Sequence, residues 1–301
     1  MDIAALTRRH GIEGQVSFAL ENGVIRMDLN NRYGSASVSL QGAQVLHWTP
    51  AGERPVIWRS PVARLTPGKA FRGGVPVCWP WFGAHEREAG FPAHGFARTA
   101  RWELEHVAQT SDGGARVVLS LPQDGIPAQQ WTRSCALELT VHMGPVLETE
   151  LRTRNPGASP FTVAEALHAY FEVGDVRRVE VSGLDGRTYI DKVAQGALKV
   201  QEGPVVIDAE VDRVYLDTDC TCVITDPVLE RRIRIVKRGS RSTVVWNPWI
   251  DKAAKLGDLG EEGHLRMLCV ESANAGSNAV VVSPGSEHRL SAAYSVERLG
   301  T

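Results

Sequence analysis

With 301 residues, 43% of them hydrophobic and 23% charged, the chain has the balance of a globular protein, long enough to bury a large core. Its 33 basic and 35 acidic side chains leave a formal net charge of −2, which excludes a general nucleic-acid surface but not a local cationic pocket for a small anion. No apolar run approaches the roughly 20 residues of a membrane helix, residues 1–15 lack a signal-peptide core, and five scattered cysteines build neither a disulfide framework nor a zinc site, so a cytoplasmic protein without membrane contact is expected.

The predicted elements are almost all strands. After a short helix over 2–9, residues 24–29 and 36–40 alternate apolar and polar side chains, and 44–48 and 55–58 are short apolar runs between turn signals. Residues 102–106 and 115–121 read as a hairpin across Ser111-Asp-Gly-Gly114, and 135–142 with 146–155 as another across Met143-Gly-Pro145. Further strands are predicted over 161–173, 179–181, 205–211, 221–225, 231–236, 243–246, 265–270, 279–283 and 290–296, with a short helix over 251–256. Regular strand spacing with Gly, Pro, Asn and Asp between strands, and no linker or repeat, predicts an all-β fold: one domain over 1–301 of two large, mostly antiparallel sheets.

The densest chemistry lies in Arg72-Gly-Gly-Val-Pro-Val-Cys-Trp-Pro-Trp-Phe-Gly83 and Pro92-Ala-His-Gly-Phe-Ala-Arg98, where aromatic rings, glycines, a histidine and arginines come together. A pocket that holds a polar ring between aromatic walls, with cations at its rim, uses this mixture. Guanidinium forks at Arg72 and Arg98 match phosphate or carboxylate oxygens, with His94 between them, although lone surface arginines are common. In Ala164-Glu-Ala-Leu-His-Ala-Tyr-Phe171, strand alternation puts His168 on a face with Ala164, Ala166 and Tyr170, whose small neighbours leave room beside the ring. A core histidine bonded to a neighbouring strand explains that segment equally well. Glu271 closes the run Arg266-Met-Leu-Cys-Val-Glu271 on the face of Cys269, where it is either a solvated strand end or a pocket carboxylate raised toward a general base by burial. Trp79-Pro-Trp81 and Trp246-Asn-Pro-Trp249 flank turns, as stacking platforms for sugars or as packing anchors. No phosphate loop, dinucleotide fingerprint, His-Glu-x-x-His or Gly-x-Ser-x-Gly motif occurs.

Taken in order, these segments together with Val245-Trp-Asn-Pro-Trp249 and Met267-Leu-Cys-Val-Glu271 resemble the glucose-6-phosphate 1-epimerase (hexose-6-phosphate mutarotase) branch of the aldose 1-epimerase family, from about Gly34 to the end of the chain. The resemblance implies a galactose-mutarotase-like β-supersandwich and a reaction at the anomeric carbon that uses no cofactor and no metal. It implies His168 as general acid and Glu271 as general base, on opposite sides of the hemiacetal, with His94 near the ring oxygen. Asp191, in Thr188-Tyr-Ile-Asp191, falls where relatives carry a substrate-binding aspartate, and Arg72 and Arg98 fall where the branch holds the 6-phosphate. A monomer acting on hexose 6-phosphate, with neither nucleic acid nor membrane as partner, is the expectation. A mutarotase for unphosphorylated aldoses and a non-catalytic sugar-phosphate binding module are the rivals. The charged loop Ala84-His-Glu-Arg-Glu-Ala-Gly90 carries no assigned role, His85 and Arg87 included.

Overall fold

The computed structural model describes residues 2–300 as antiparallel strands with a few short helices. A nine-stranded sheet has the spatial order Val205–Val206, Glu180–Ser182, Cys222–Asp226, Arg231–Arg238, Glu287–Arg298, Leu147–Arg154, Ala136–Met143, Ala115–Leu121 and Glu103–Gln109. An eight-stranded sheet runs Ala197–Val200, Thr188–Asp191, Val211–Tyr215, Ser242–Asn247, Met267–Asn274, Glu165–Leu167 and Val77–Cys78, with Tyr170–Glu172 also pairing on Met267–Asn274. A four-stranded meander, from Val16–Glu21 to Val45–Pro50, reaches this sheet through bridges such as Val45 to Val75 and Ile57 to Phe171. Among the described residues no helix is long and apolar enough to cross a membrane.

Burial separates the two sheets by role. In the nine-stranded sheet, Ala136–Met143 and Arg231–Arg238 alternate buried and wetter positions, so one face meets water and the other the core. In the eight-stranded sheet, Ser242–Asn247 and Met267–Asn274 are buried at every position. One face of these strands supplies Val245, Leu268 and Val270 to a core shared with Leu151, Ile235, Leu290 and Tyr294 of the facing sheet. The other face, with Val244 and Glu271, is therefore buried against something other than that core.

Both predicted hairpins form, and the first helix, Ile3–His10, is capped by the Asp2 carboxylate accepting from the Ala4 N–H at 2.9 Å. The predicted strand over 161–173 is three pieces instead, because Phe161–Val163 pairs with Val280–Val282 while Glu165–Leu167 and Tyr170–Glu172 join the eight-stranded sheet. The strand predicted over 205–211 also divides: Val205–Val206 belongs to one large sheet and Val211–Tyr215 to the other. A helical turn over Gly263–Arg266 delays the strand predicted from residue 265, which runs Met267–Asn274 and so carries Glu271 in its interior rather than at its end. Residues 55–58 contribute only two isolated bridges, both at Ile57, and the second helix starts at Trp249. Val16–Glu21 and Ala197–Val200 are strands that the alternation did not reveal.

Leu290 is fully buried in the inter-sheet core. Leu290→Ala is expected to lower stability by about 2–5 kcal/mol, read as a lower denaturation midpoint with an unchanged slope.

Candidate active site

The outer face of the eight-stranded sheet floors a cavity of about 1230 Å3, at or beyond the upper end of the range of small-molecule sites. Antiparallel register sets Val214 opposite Val244 and Val244 opposite Glu271, so the alternation of three strands aims these side chains into the cavity together with Asp212 and Trp246. Ala164, His168 and Tyr170 continue the floor, and loops bearing Trp81, His94 and Arg98 form a wall.

His168 owes its position to the strand break. The chain leaves the ladder after Leu167, the His168 N–H donates to the Pro76 carbonyl at 3.0 Å, and the Ala169 N–H turns back to the Leu167 carbonyl at 3.0 Å. The imidazole then stacks on Tyr170 at 4.9 Å with an interplanar angle of 9°, and meets His94 and Trp246 edge-on at 5.7 and 6.2 Å. Its Nε2 lies 3.3 Å from Oε1 of Glu271, whose side chain is only 1% exposed. His168 Nδ1 and Glu271 Oε2 are buried and find no partner among the described residues. Burial, and secondarily Asp212, pushes the Glu271 carboxyl well up from its ordinary value. Burial, then His94, Arg98 and Arg72, pushes the His168 imidazole well down. Burial thus works against the charged form of each group. The two groups stand side by side on the cavity floor.

The two arginines differ in how they are held. Arg72 donates from Nε to both oxygens of Asp258 at 3.0 and 3.1 Å and from Nη1 to the Tyr170 hydroxyl at 2.8 Å, with its guanidinium over Trp246. Burial works against its charge, but Tyr170 and Asp258 outweigh that and hold its pKa above the usual arginine value. Arg98 has no carboxylate partner among the described residues: Nη2 donates to the Ala93 carbonyl at 2.6 Å and the buried Nε donates to nothing. His94 is pushed down to about 3 by burial, then by Arg98 and Arg72, so it is a neutral ring; its Nδ1 lies 3.4 Å from the Gly83 N–H as an acceptor. The loop bearing His94 is locked at Gly95, which has φ of +72° and bridges to Trp79; a Cβ there would run into the Trp79 carbonyl.

Asp191 is not brought to the cavity. Strand alternation sends Ile190 inward instead, and the Asp191 carboxylate accepts from Lys199 Nζ at 2.7 Å and from the Val193 and Ala194 N–H groups at 3.1 Å. The aspartate that faces the cavity is Asp212 on the adjoining strand, 3.7 Å from Lys252 Nζ, its carboxyl raised by burial against the pull of Lys252 and Lys192. Ending the predicted strand at 211 hid it, since a strand that continues through Val211-Asp-Arg-Val214 sets Asp212 and Val214 on one face. The tryptophans split: Trp81 and Trp246 line the cavity, while Trp79 is core against Phe96 and Trp131, and Trp249 packs at the core's edge. Asn247 is a buried clasp, donating from Nδ2 to the His264 and Met267 carbonyls and accepting from the Trp249 N–H. His85 and Arg87 reach the cavity rim.

The fold is that of the galactose mutarotase-like proteins: one from Lactobacillus casei superposes with a TM-score of 0.68, covering 90% of this chain and 100% of that one at 15% identity. The chain belongs to the aldose 1-epimerase family, whose sequence profile matches residues 26–295. It is therefore an isomerase that interconverts sugar anomers. A crystal structure of a provisionally assigned mutarotase (YeaD) from Salmonella typhimurium superposes with a TM-score of 0.89 at 31% identity, covering 96% of each chain. A protein of Escherichia coli strain K12, provisionally named glucose-6-phosphate 1-epimerase, is 37% identical over 254 residues, 84% of each chain.

Because Gly95 combines positive φ with a blocked Cβ position, Gly95→Ala is expected to cost at least about 1–3 kcal/mol and to displace His94, measured as a lower Tm and a reduced anomerisation rate.

Proposed function

We propose that this enzyme interconverts the α and β anomers of a hexose 6-phosphate, glucose 6-phosphate foremost, with His168 as acid and Glu271 as base. The observation that carries the chemistry is the 3.3 Å separation of His168 Nε2 and Glu271 Oε1 in a buried cavity. The ring oxygen and the anomeric hydroxyl share one carbon, so two adjacent protein atoms can address both at once. Glu271 takes the hydroxyl proton, His168 gives a proton to the ring oxygen, and the bond from the anomeric carbon to the ring oxygen opens to the free aldehyde. Rotation about the neighbouring carbon–carbon bond presents the other carbonyl face, and the same two groups working in reverse close the opposite anomer. Each transfer by a placed group contributes roughly 10²–10⁴-fold, and holding both in position adds an orientation term.

The phosphate assignment rests on Arg98, a cation at the cavity wall with no carboxylate partner among the described residues, with Arg72 nearby but already engaged by Asp258. The naming of the Escherichia coli relative for glucose 6-phosphate supports the same reading. Trp81 and Trp246 offer flat faces to a sugar, Asp212 offers an acceptor to a hydroxyl, and the neutral ring of His94 suits a place near the ring oxygen.

Glu271→Gln and His168→Asn are each expected to lower the polarimetric anomerisation rate of glucose 6-phosphate by roughly 10²–10⁴-fold while circular dichroism stays unchanged; near-normal turnover by either variant contradicts the assignment. Arg98→Ala is expected to raise KM for glucose 6-phosphate far more than for glucose. Equal effects on both sugars would make Arg98 structural and favour an aldose without phosphate, and binding of the phosphorylated sugar without rate acceleration would favour a non-catalytic module.

A further inference from the structure

The acid–base pair proposed above spans two neighbouring strands at a point where the ladder between them is interrupted. Before the gap, Glu165, Ala166 and Leu167 stand opposite Asn274, Ala273 and Ser272, and after it Tyr170 stands opposite Cys269. One register runs through both sides, so His168 and Glu271 fall opposite one another in the gap. There the His168 N–H is turned away to the Pro76 carbonyl and the Ala169 N–H to the Leu167 carbonyl, and neither is left for the facing strand. The approach of the imidazole to the carboxyl therefore depends on what fixes the register at the flanks.

One flank carries a buried polar cluster that the reaction does not use. Glu165 is fully buried and, three residues before His168, takes the opposite face of its strand, between the two large sheets. Its Oε1 accepts from Nδ2 of Asn274, its cross-strand partner, at 3.1 Å and lies 3.1 Å from Nε2 of His288. Its Oε2 accepts from Thr153 Oγ1 at 3.5 Å. An ionised carboxylate only accepts, so His288 turns its Nε2 proton to Glu165. His288 and Thr153 are themselves paired in the nine-stranded sheet. The Asn274 amide is fully used: Nδ2 also donates to the Gly239 carbonyl at 2.8 Å, and Oδ1 accepts from the Arg241 N–H at 2.9 Å. A carboxylate buried between sheets is costly unless its partners are in place. A slip of its strand by one residue would take Glu165 from all three.

We infer that Glu165, Asn274 and His288 are positioning residues for anomerisation, a clasp that ties both strands of the acid–base pair to the facing sheet and so sets the approach of His168 to Glu271. The inference rests on the reading of that pair as acid and base. All three residues lie outside the cavity lining, so the clasp acts on turnover and not on substrate binding. A misplacement of about 1 Å relayed from a remote residue is enough to cost on the order of 10²-fold.

Polarimetric kinetics on glucose 6-phosphate test this. Glu165→Ala and His288→Ala are each expected to lower kcat by about 10- to 100-fold with KM unchanged. Glu165→Gln, whose amide can accept from Asn274 and His288 and donate to Thr153, is expected to keep kcat near the wild-type value. Leu290→Ala, two residues from His288 on the same strand face, serves as the control: it loses stability without touching the clasp and is expected to keep its kcat. The His288 side chain is 21% exposed, so its variant keeps the test open if Glu165→Ala fails to fold. Normal kcat in His288→Ala, a loss in Leu290→Ala as large as in the clasp variants, or a Glu165→Gln enzyme as slow as Glu165→Ala overturns the inference. The acid–base reading survives any of these if Glu271→Gln and His168→Asn are inactive; if those two turn over normally, that reading fails and the inference with it.

Discussion

The site is built on one expensive arrangement, a carboxyl and an imidazole buried 3.3 Å apart, with one nitrogen and one oxygen that have no partner among the described residues. Burial penalises the ionised form of each group, and in the interior of a protein that penalty runs to several kcal/mol for an isolated charge. The pair survives because a proton can be shared between its members, and because the sheet that carries them is held rigidly from behind. The inter-sheet core holds Leu268 and Val270 on the opposite side of the Glu271 strand, so the costly face is presented by a strand that cannot relax.

Around that pair, the surrounding residues pin geometry more than they add affinity. Tyr170 is the hinge of the arrangement, stacking on His168 with its ring and accepting from Arg72 with its hydroxyl. Arg72 is in turn fixed by Asp258, a residue 186 positions further along the chain. Asn247 ties the turn after one floor strand to the start of the next through the Met267 carbonyl. The site is therefore framed by side-chain hydrogen bonds whose members sit on different strands and loops.

Much of this was legible in the sequence where a strand keeps its alternation. The placement of Glu271 with Cys269 follows from a two-residue period, whereas Ala164, His168 and Tyr170 meet at the cavity across breaks in their strand. Legibility failed where one segment serves two sheets, since residues 161–173 and 205–211 look like single apolar runs and periodicity does not say which partner each half takes. That failure hid Asp212, while Asp191 came from the resemblance alone, and it is its neighbour Ile190 that lines the cavity. Protonation was out of reach for a different reason: it depends on burial and on charges contributed by Arg72, Arg98 and Asp212, which only the fold brings within range of the pair.

The pleat of the Met267–Asn274 strand has a further effect during folding. Its register sets Glu271 opposite Val244, and a slip by one residue would turn the carboxylate into the inter-sheet core and Val270 out toward the cavity. Misalignment there is penalised by the desolvation of an acid among aliphatic side chains, with none of the cavity's polar neighbours to take its proton. Glu271 thus acts as a register key: the group that makes the correct alignment reactive also makes the nearest wrong alignment unstable.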